Sequence, residues 1–343
     1  MNVWISLIVA AIAVTVLAAI GAIGGYVPQL HFLFGVAVPY AAIVIFLAGF
    51  IYRVVKWGRA PVPFAIPTTC GQQRSLSWIK DSKLECPSTT AGVAGRMFFE
   101  VFCFRSLLRN STSRVEDGPK ITYGSTQWLW FFALVFHWSF LVVVLRHLRF
   151  FTEPVIGPVK LLETLDGFLQ VGLPVVMISG FALLGAATYL FLRRLILPNV
   201  RYISLPNDYF PLFLIMGIAA SGILMRYIFK VPIVDVKTLI MGIATFQPVV
   251  PAGIGFLFYL HLFLVCSLIA YFPFSKLMHM GGVWMSPTRN MTCNTREVRH
   301  INPWNPKVHT HTYEEYEDEF REKMVEAGLP VDKPLPEDAS DEA

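Results

Sequence analysis

The sequence predicts an all-α membrane protein with six transmembrane helices. Three observations carry that prediction. First, 55% of the 343 residues are hydrophobic, only 15% are charged, and the mean hydropathy is +0.56, which is little charge for a soluble domain of this size. Second, six apolar runs approach or exceed the roughly 20 residues a crossing needs. They are 3–27, 32–52, 127–148, 169–192, 209–229 and 253–274. Inside lipid each must be a helix, the one local structure that satisfies every backbone group within the segment. Third, Lys and Arg are distributed unevenly. With the N-terminus inside, the segments after runs 2, 4 and 6 hold 11, 3 and 8 of the 28, which leaves six elsewhere. The positive-inside rule then puts both termini in the cytoplasm of a multi-pass protein of the cell (inner) membrane.

The elements follow in order. No basic residue precedes the first run, and it is too long for the apolar part of a signal peptide, so it reads as a retained helix. Pro39 in run 2 and Pro174 in run 4 are expected kink points. Between runs 2 and 3 lies a cytoplasmic insertion, 56–126. Its "GVAGRMFFEVFCFRSLLRN" reads as an amphipathic helix with Arg96, Arg105 and Arg109 among aromatics. Such a helix can lie on a membrane surface or dock a partner, and a loop this long is usually functional or flexible.

After run 6 comes a cytoplasmic tail, 275–343, with a charged helix over 313–327 and the acidic end "PEDASDEA". It is too polar to build a core and reads as a docking strap. The expected organisation is therefore a membrane domain, 1–274, carrying the insertion, and a docking tail, 275–343. Cys70, Cys86, Cys103, Cys266 and Cys293 fit neither zinc pairs nor an iron–sulfur run, and four of them fall on the reducing side. They read as unpaired. The net charge of +5 is a topology signal, and without a basic-aromatic platform it gives no reason to expect nucleic-acid binding.

Chemistry concentrates in four of the eight histidines. "FHWSFLVVVLRHLRFF" places His137 and His147 ten positions apart in run 3, and "LHLFLVCSLIAYFPFSKLMH" places His261 and His279 eighteen apart at run 6. These separations span about 15 Å and about 27 Å of helix, against a hydrocarbon core of about 30 Å. The two runs are antiparallel, so levels match in one way: His147 with His261 near the outer surface, and His137 with His279 near the inner one. Tilt, or a break at Pro273, must absorb the unequal spacings.

A single intramembrane histidine can simply bridge helices by hydrogen bonding. The matched set of four favours haem, which needs two axial ligands from protein. Two imidazoles on each iron leave no position for oxygen and suit electron transfer. Trp128, Trp130, Phe131, Phe136, Trp138 and Phe140 are candidates to wall the porphyrins. Arg146, Arg149 and Arg226 are possible partners for propionates at the outer surface. His31, His300, His309 and His311 lie outside the runs and read as solvated.

"FPFSKLMH", with a histidine eighteen residues before its last, resembles the end of the nitrate reductase gamma subunit family of dihaem b cytochromes. The earlier ten-residue histidine pair and the "RRLILP" exit of run 4 are similar to that family too, over runs 2 to 6. The implied fold is that family's helical bundle with one extra N-terminal helix. The resemblance implies that His137, His147, His261 and His279 are axial ligands of two haem b groups. The extra helix, the loop "IPTTCGQQRSLSWIKDSKLE" and the tail segment "NPWNPKVHTHTYEEYEDEFREKM" look like the DsrM family, cytochrome b subunits of the dissimilatory sulfite reduction complex DsrMKJOP, and its Hme and heterodisulfide reductase relatives.

That resemblance implies menaquinol oxidation near the outer face. Electrons would pass to a cytoplasmic DsrK-like iron–sulfur subunit for di- or trisulfide reduction, in an assembly with DsrJ, DsrO and DsrP. Lys160 and Glu163 are candidates for the quinone site, each also readable as an ordinary interfacial charge. The chain lacks cluster cysteines, so it would not perform the sulfur chemistry alone. Two alternatives stand beside this reading. One is the same role in an Hme or heterodisulfide reductase complex. The other is a haem-free transporter with a histidine proton relay, although the chain shows no repeat symmetry of the transporter kind.

Overall fold

The computed structural model describes residues 3–60, 71–169, 175–298 and 309–335. Among them, six helices are long and apolar enough to cross a membrane: Val3–Tyr26, Pro28–Gly58, Gln127–Phe150, Ile178–Ile196, Pro206–Tyr227 and Phe256–Phe274. The expected all-α membrane fold is the observed one. The chain divides into two compact units, Met1–Ala60 with Ala65–Val298, and Pro61–Phe64 with Arg299–Ala343.

In the first unit, α1 (Val3–Tyr26) exposes Ile5, Ile8, Ile12, Val16 and Ile20 and packs its other side on the sixth span, Phe256–Phe274. That packing brings backbone against backbone. A Cβ at Gly25 would lie 2.5 Å from Phe256 Cα, and one at Gly21 would lie 3.0 Å from Leu260 Cα, the small-residue contact that membrane helices favour. The second span opens with a 3-10 turn at Pro28–Leu30 and a π turn at Leu33–Ala37 before α2 (Val38–Gly58). The regular helix thus begins six residues later than the expected 32. Pro39 has no amide hydrogen and its ring crowds the carbonyl one turn back, a conflict that the wider π turn relieves.

The described part of the insertion, from residue 71, is folded. It holds α3 (Thr90–Phe102), α4 (Arg105–Leu108) and an exposed antiparallel hairpin of β1 (Ser111–Val115) and β2 (Ile121–Ser125), which the sequence analysis did not anticipate. Thr89 caps α3 by accepting from Gly92 N. Arg96 is not on a polar surface as expected. It is 2% exposed and donates to the carbonyls of Glu85, Arg289 and Met291 and to Cys293 Sγ. Residues 289–293 are thereby strapped onto the insertion, and Cys293 N donates to Pro87 O at 2.7 Å. Burial pushes the Cys293 thiol above its ordinary pKa. Cys86, Cys103, Cys266 and Cys293 carry no disulfide; Cys70 lies outside the described residues.

The remaining spans are α5 (Gln127–His147), α7 (Ile178–Ile196), α9 (Pro206–Tyr227) and α11 (Phe256–Tyr271), joined by α6 (Gly157–Asp166), α8 (Pro198–Tyr202) and α10 (Ile233–Ala244). The fourth span begins at Ile178 rather than near 169, because its start is capped from a distance. The Asp166 carboxylate accepts from Ser179 N at 2.7 Å and Ser179 Oγ at 2.6 Å, satisfying amides that a helix start leaves unpaired. The kink expected at Pro174 lies outside the described residues. Two apolar clusters hold the bundle. Leu183, Leu214, Ile215, Leu264 and Leu268 join α7, α9 and α11, and Phe34, Val36, Leu239, Phe258 and Tyr259 join α10 to the start of the second span.

Beyond α11 the chain breaks at Pro273. A 3-10 turn at Phe272–Phe274, extended Ser275 and a second turn at Lys276–Met278 lead into α12 (His279–Gly282) and α13 (Pro287–Asn290). The first unit thus continues through Val298, past the expected domain boundary at 274.

In the second unit, α14 (Tyr313–Glu326) starts with a capping box between Thr312 and Glu315. It ends at Gly328, whose φ of +69° suits a residue without Cβ. The Glu317 carboxylate accepts from the amides of Asp332 and Lys333, both at 2.8 Å, and these bonds hold it below the usual carboxylate range.

Candidate metal centre

α5 carries His137 and His147, α11 carries His261 and α12 carries His279, and α5 and α11 are not one another's principal neighbours. α5 packs on α7, whereas α11 packs on α1, α9 and α2. Their histidines meet across the space between them. The His147 and His261 ring centroids lie 6.4 Å apart with planes 13° from parallel, and those of His137 and His279 lie 5.8 Å apart at 84°. These are the two couples that level matching on antiparallel helices expects. The break at Pro273 takes up the unequal spacing by moving His279 off the line of α11.

Each imidazole is fixed through Nδ1. His137 donates to Ala133 O and His147 to Val143 O, both at 2.7 Å, one helical turn back. His279 donates to Lys276 O at 2.9 Å. A carbonyl can only accept, so in all three the proton sits on Nδ1 and Nε2 keeps its lone pair. His261 Nδ1 lies 2.8 Å from Ser221 Oγ, and that hydroxyl already has Gly217 O at 2.8 Å as its acceptor. The serine proton is thus committed, and His261 is the donor here too. Four Nε2 atoms therefore remain available as ligands, with the second partner that metal-bound histidines characteristically have.

The donor set fits one metal between the members of each couple. An ion bound to two Nε2 atoms at about 2 Å each separates ring centres by about 6 Å, close to both observed values. The chain also makes room at His261, since a Cβ at Gly222 would come within 3.3 Å of its Cε1. Ser221 and Gly222 were missed in the sequence. The only signal was the small-residue stretch "AASG" within an apolar helix.

The proposed surroundings are partly reassigned. Phe136 and Phe104 meet His137 edge-on at 5.2 and 4.9 Å. Trp128, Phe131 and Trp138 are exposed, and Trp130 and Trp138 donate instead to the carbonyls of Cys103 and Phe102. Trp130 and Trp138 are thus tied to the insertion, and among the expected aromatic wall Phe136 is the residue in ring contact with a histidine. Arg146 donates to Asp166 at 2.6 Å and Ser179 Oγ at 3.0 Å, and Arg149 donates to Glu163 at 2.8 Å. Arg226 reaches Val175 O at 3.3 Å. Two of the three candidate arginines thus already have carboxylates, yet the Nε atoms of Arg146 and Arg226 are buried without a partner among the described residues. Lys160 is exposed and Glu163 is tied to Arg149.

Of the other histidines, one differs from expectation. His31 is half-buried and stacks on Tyr259 at 4.4 Å, so it is not simply solvated. His309 and His311 are exposed as expected, beside Glu315; His300 lies outside the described residues.

Fold and site together define a class: a multi-pass helical membrane protein with histidine pairs facing each other across two helices at two levels. Residues 121–300 match the family model described as nitrate reductase gamma subunit, a match that takes in four of the six spans. The chain belongs to that family. It is 47% identical over 277 residues to the Hdr-like menaquinol oxidoreductase cytochrome b-like subunit of Archaeoglobus profundus, covering 79% of this chain and 82% of that protein. The protein of the same description from Archaeoglobus fulgidus is 45% identical over 281 residues, covering 80% and 84%.

Proposed function

We propose that this chain is the cytochrome b subunit of a menaquinol oxidoreductase complex and holds two b haems, one between His147 and His261 and one between His137 and His279. The observation that carries this is the set of four Nδ1-anchored imidazoles, two on α5 facing one on α11 and one on α12, at separations suited to one metal each. Bound there, haem with two imidazole ligands supplies one-electron transfer and offers no position to oxygen.

The chain's own residues do the rest. The carbonyls of Ala133, Val143 and Lys276 and the Ser221 hydroxyl fix ring orientation and tautomer. The apolar spans exclude water. At the His147 end, Arg146 is paired with the buried Asp166 carboxylate and Arg226 reaches only Val175 O, and the Nε–H of each has no acceptor among the described residues. That surplus suits the propionates of a haem.

Menaquinol loses two electrons and two protons at the outer end, where Lys160 and Glu163 stand. The protons leave to the outer water and the electrons leave at the His137 end. The receiver is a cytoplasmic iron–sulfur subunit of the DsrK or heterodisulfide reductase kind, docked on the insertion and tail. Within the family we assign the chain to DsrM and to a DsrMKJOP-type assembly with DsrJ, DsrO and DsrP, serving di- or trisulfide reduction.

Purification of the native complex tests this. A menaquinol analogue should reduce its b-type absorbance within the mixing time, and mass spectrometry should find an iron–sulfur subunit in equal amount. A purified chain whose absorbance no quinol reduces would contradict the reading.

A further inference from the structure

The described residues form an open depression of about 360 Å³ at the His137/His279 end, lined by Arg53 and Trp57 of α2, Asn207 at the start of α9, and Phe274, Lys276 and His279. No residue of α5 lines it. It is therefore not the space between the paired imidazoles but a second space, with His279 in its wall. We propose that it binds a quinone headgroup, a second quinone site at the opposite end of the protein from Lys160 and Glu163. The proposal rests on the reading that the histidine pairs hold redox groups.

The lining chemistry selects this ligand. The volume lies in the range of small-molecule sites. Trp57 and Phe274 offer flat apolar surface, and Asn207, Lys276 and Arg53 offer N–H donors for ring carbonyls. Both cations are already engaged in part, which argues against the phosphate of a lipid. Lys276 donates to the Asp208 carboxylate at 2.6 Å, a carboxylate it shares with Arg194 at 4.0 Å, and Arg53 spends Nε on Pro273 O at 3.0 Å. What remains is a set of donors suited to neutral carbonyls. A lipid headgroup would also gain nothing from contact with His279, whereas a quinone there lies beside a redox ligand.

Photolabelling of the haem-loaded native complex with an azido-naphthoquinone tests the site, with crosslinks mapped by mass spectrometry. Labels should fall within 53–57 and 274–282. Excess unlabelled menaquinone analogue should compete them at least tenfold, and Trp57→Ala and Asn207→Leu should each cut them at least fivefold at unchanged haem content. Labels confined to 157–166 would overturn the proposal. So would labels in the depression that phosphatidylglycerol vesicles compete and the quinone does not, which would mark a lipid site. Haem counted on the same samples separates the two failures. Two haems per chain without competed labels at the depression would overturn this site alone, whereas a haem-free complex would overturn the cytochrome reading and this site with it.

Discussion

His147 and His261 face each other nearly parallel, 13° apart in plane, whereas His137 and His279 stand at 84°. The difference lies in what carries the rings. Both members of the first pair sit on unbroken membrane helices, and His261 is held by a side chain, Ser221, from a third helix. The second pair has one member on α12, beyond the break at Pro273, and its Nδ1 partners are main-chain carbonyls close in sequence. Of the four rings, His261 alone is thus held by tertiary packing, while His147, like both members of the second pair, is held by local backbone. Substitutions should separate the two levels.

Gly222→Leu should have the largest effect. Its side chain would occupy the place of the His261 imidazole, so the protein should lose about half its haem, measured by extraction and counting. The His137 level should remain. Asp166→Asn comes next. It removes the carboxylate that holds Arg146 and caps α7, and breaking a buried pair of this kind costs about 3 kcal/mol. A lower thermal midpoint in detergent is expected, and an unchanged midpoint would show that the His147 end is not tertiary in origin.

Ser221→Ala should loosen only the His261 ligand, raising haem loss to a scavenger protein by about tenfold at that level. No single side-chain deletion should do the same at His279, whose anchor is main chain. Phe104→Ala should be the mildest. The edge-on contact with His137 is worth about 1 kcal/mol, and its loss should shift the midpoint potential of the His137-level haem alone.

The same contrast explains what could be read from the sequence. The ten- and eighteen-residue spacings and the antiparallel order of two helices were enough to pair the histidines, since rise per residue and bilayer thickness are fixed quantities. The break at Pro273 was legible because proline cannot donate to the helix ladder. What escaped depended on contacts distant along the chain. Ser221 is 40 residues from His261, and the Arg96 strap joins positions separated by 193 to 197. The start of α7 was misplaced because its cap, Asp166, lies before the span. The aromatics of α5 were composition without direction: Phe136 turns toward His137, while Trp138 turns to the insertion.

The most direct measurement is the dithionite-reduced minus oxidised visible spectrum of the purified protein, with its haem extracted and counted. Two b-type haems per chain are expected, falling to one in His147→Ala and in His261→Ala, with the same haem lost in both. Loss of different haems in the two variants would contradict the pairing, and a chain without haem would contradict the cytochrome reading itself.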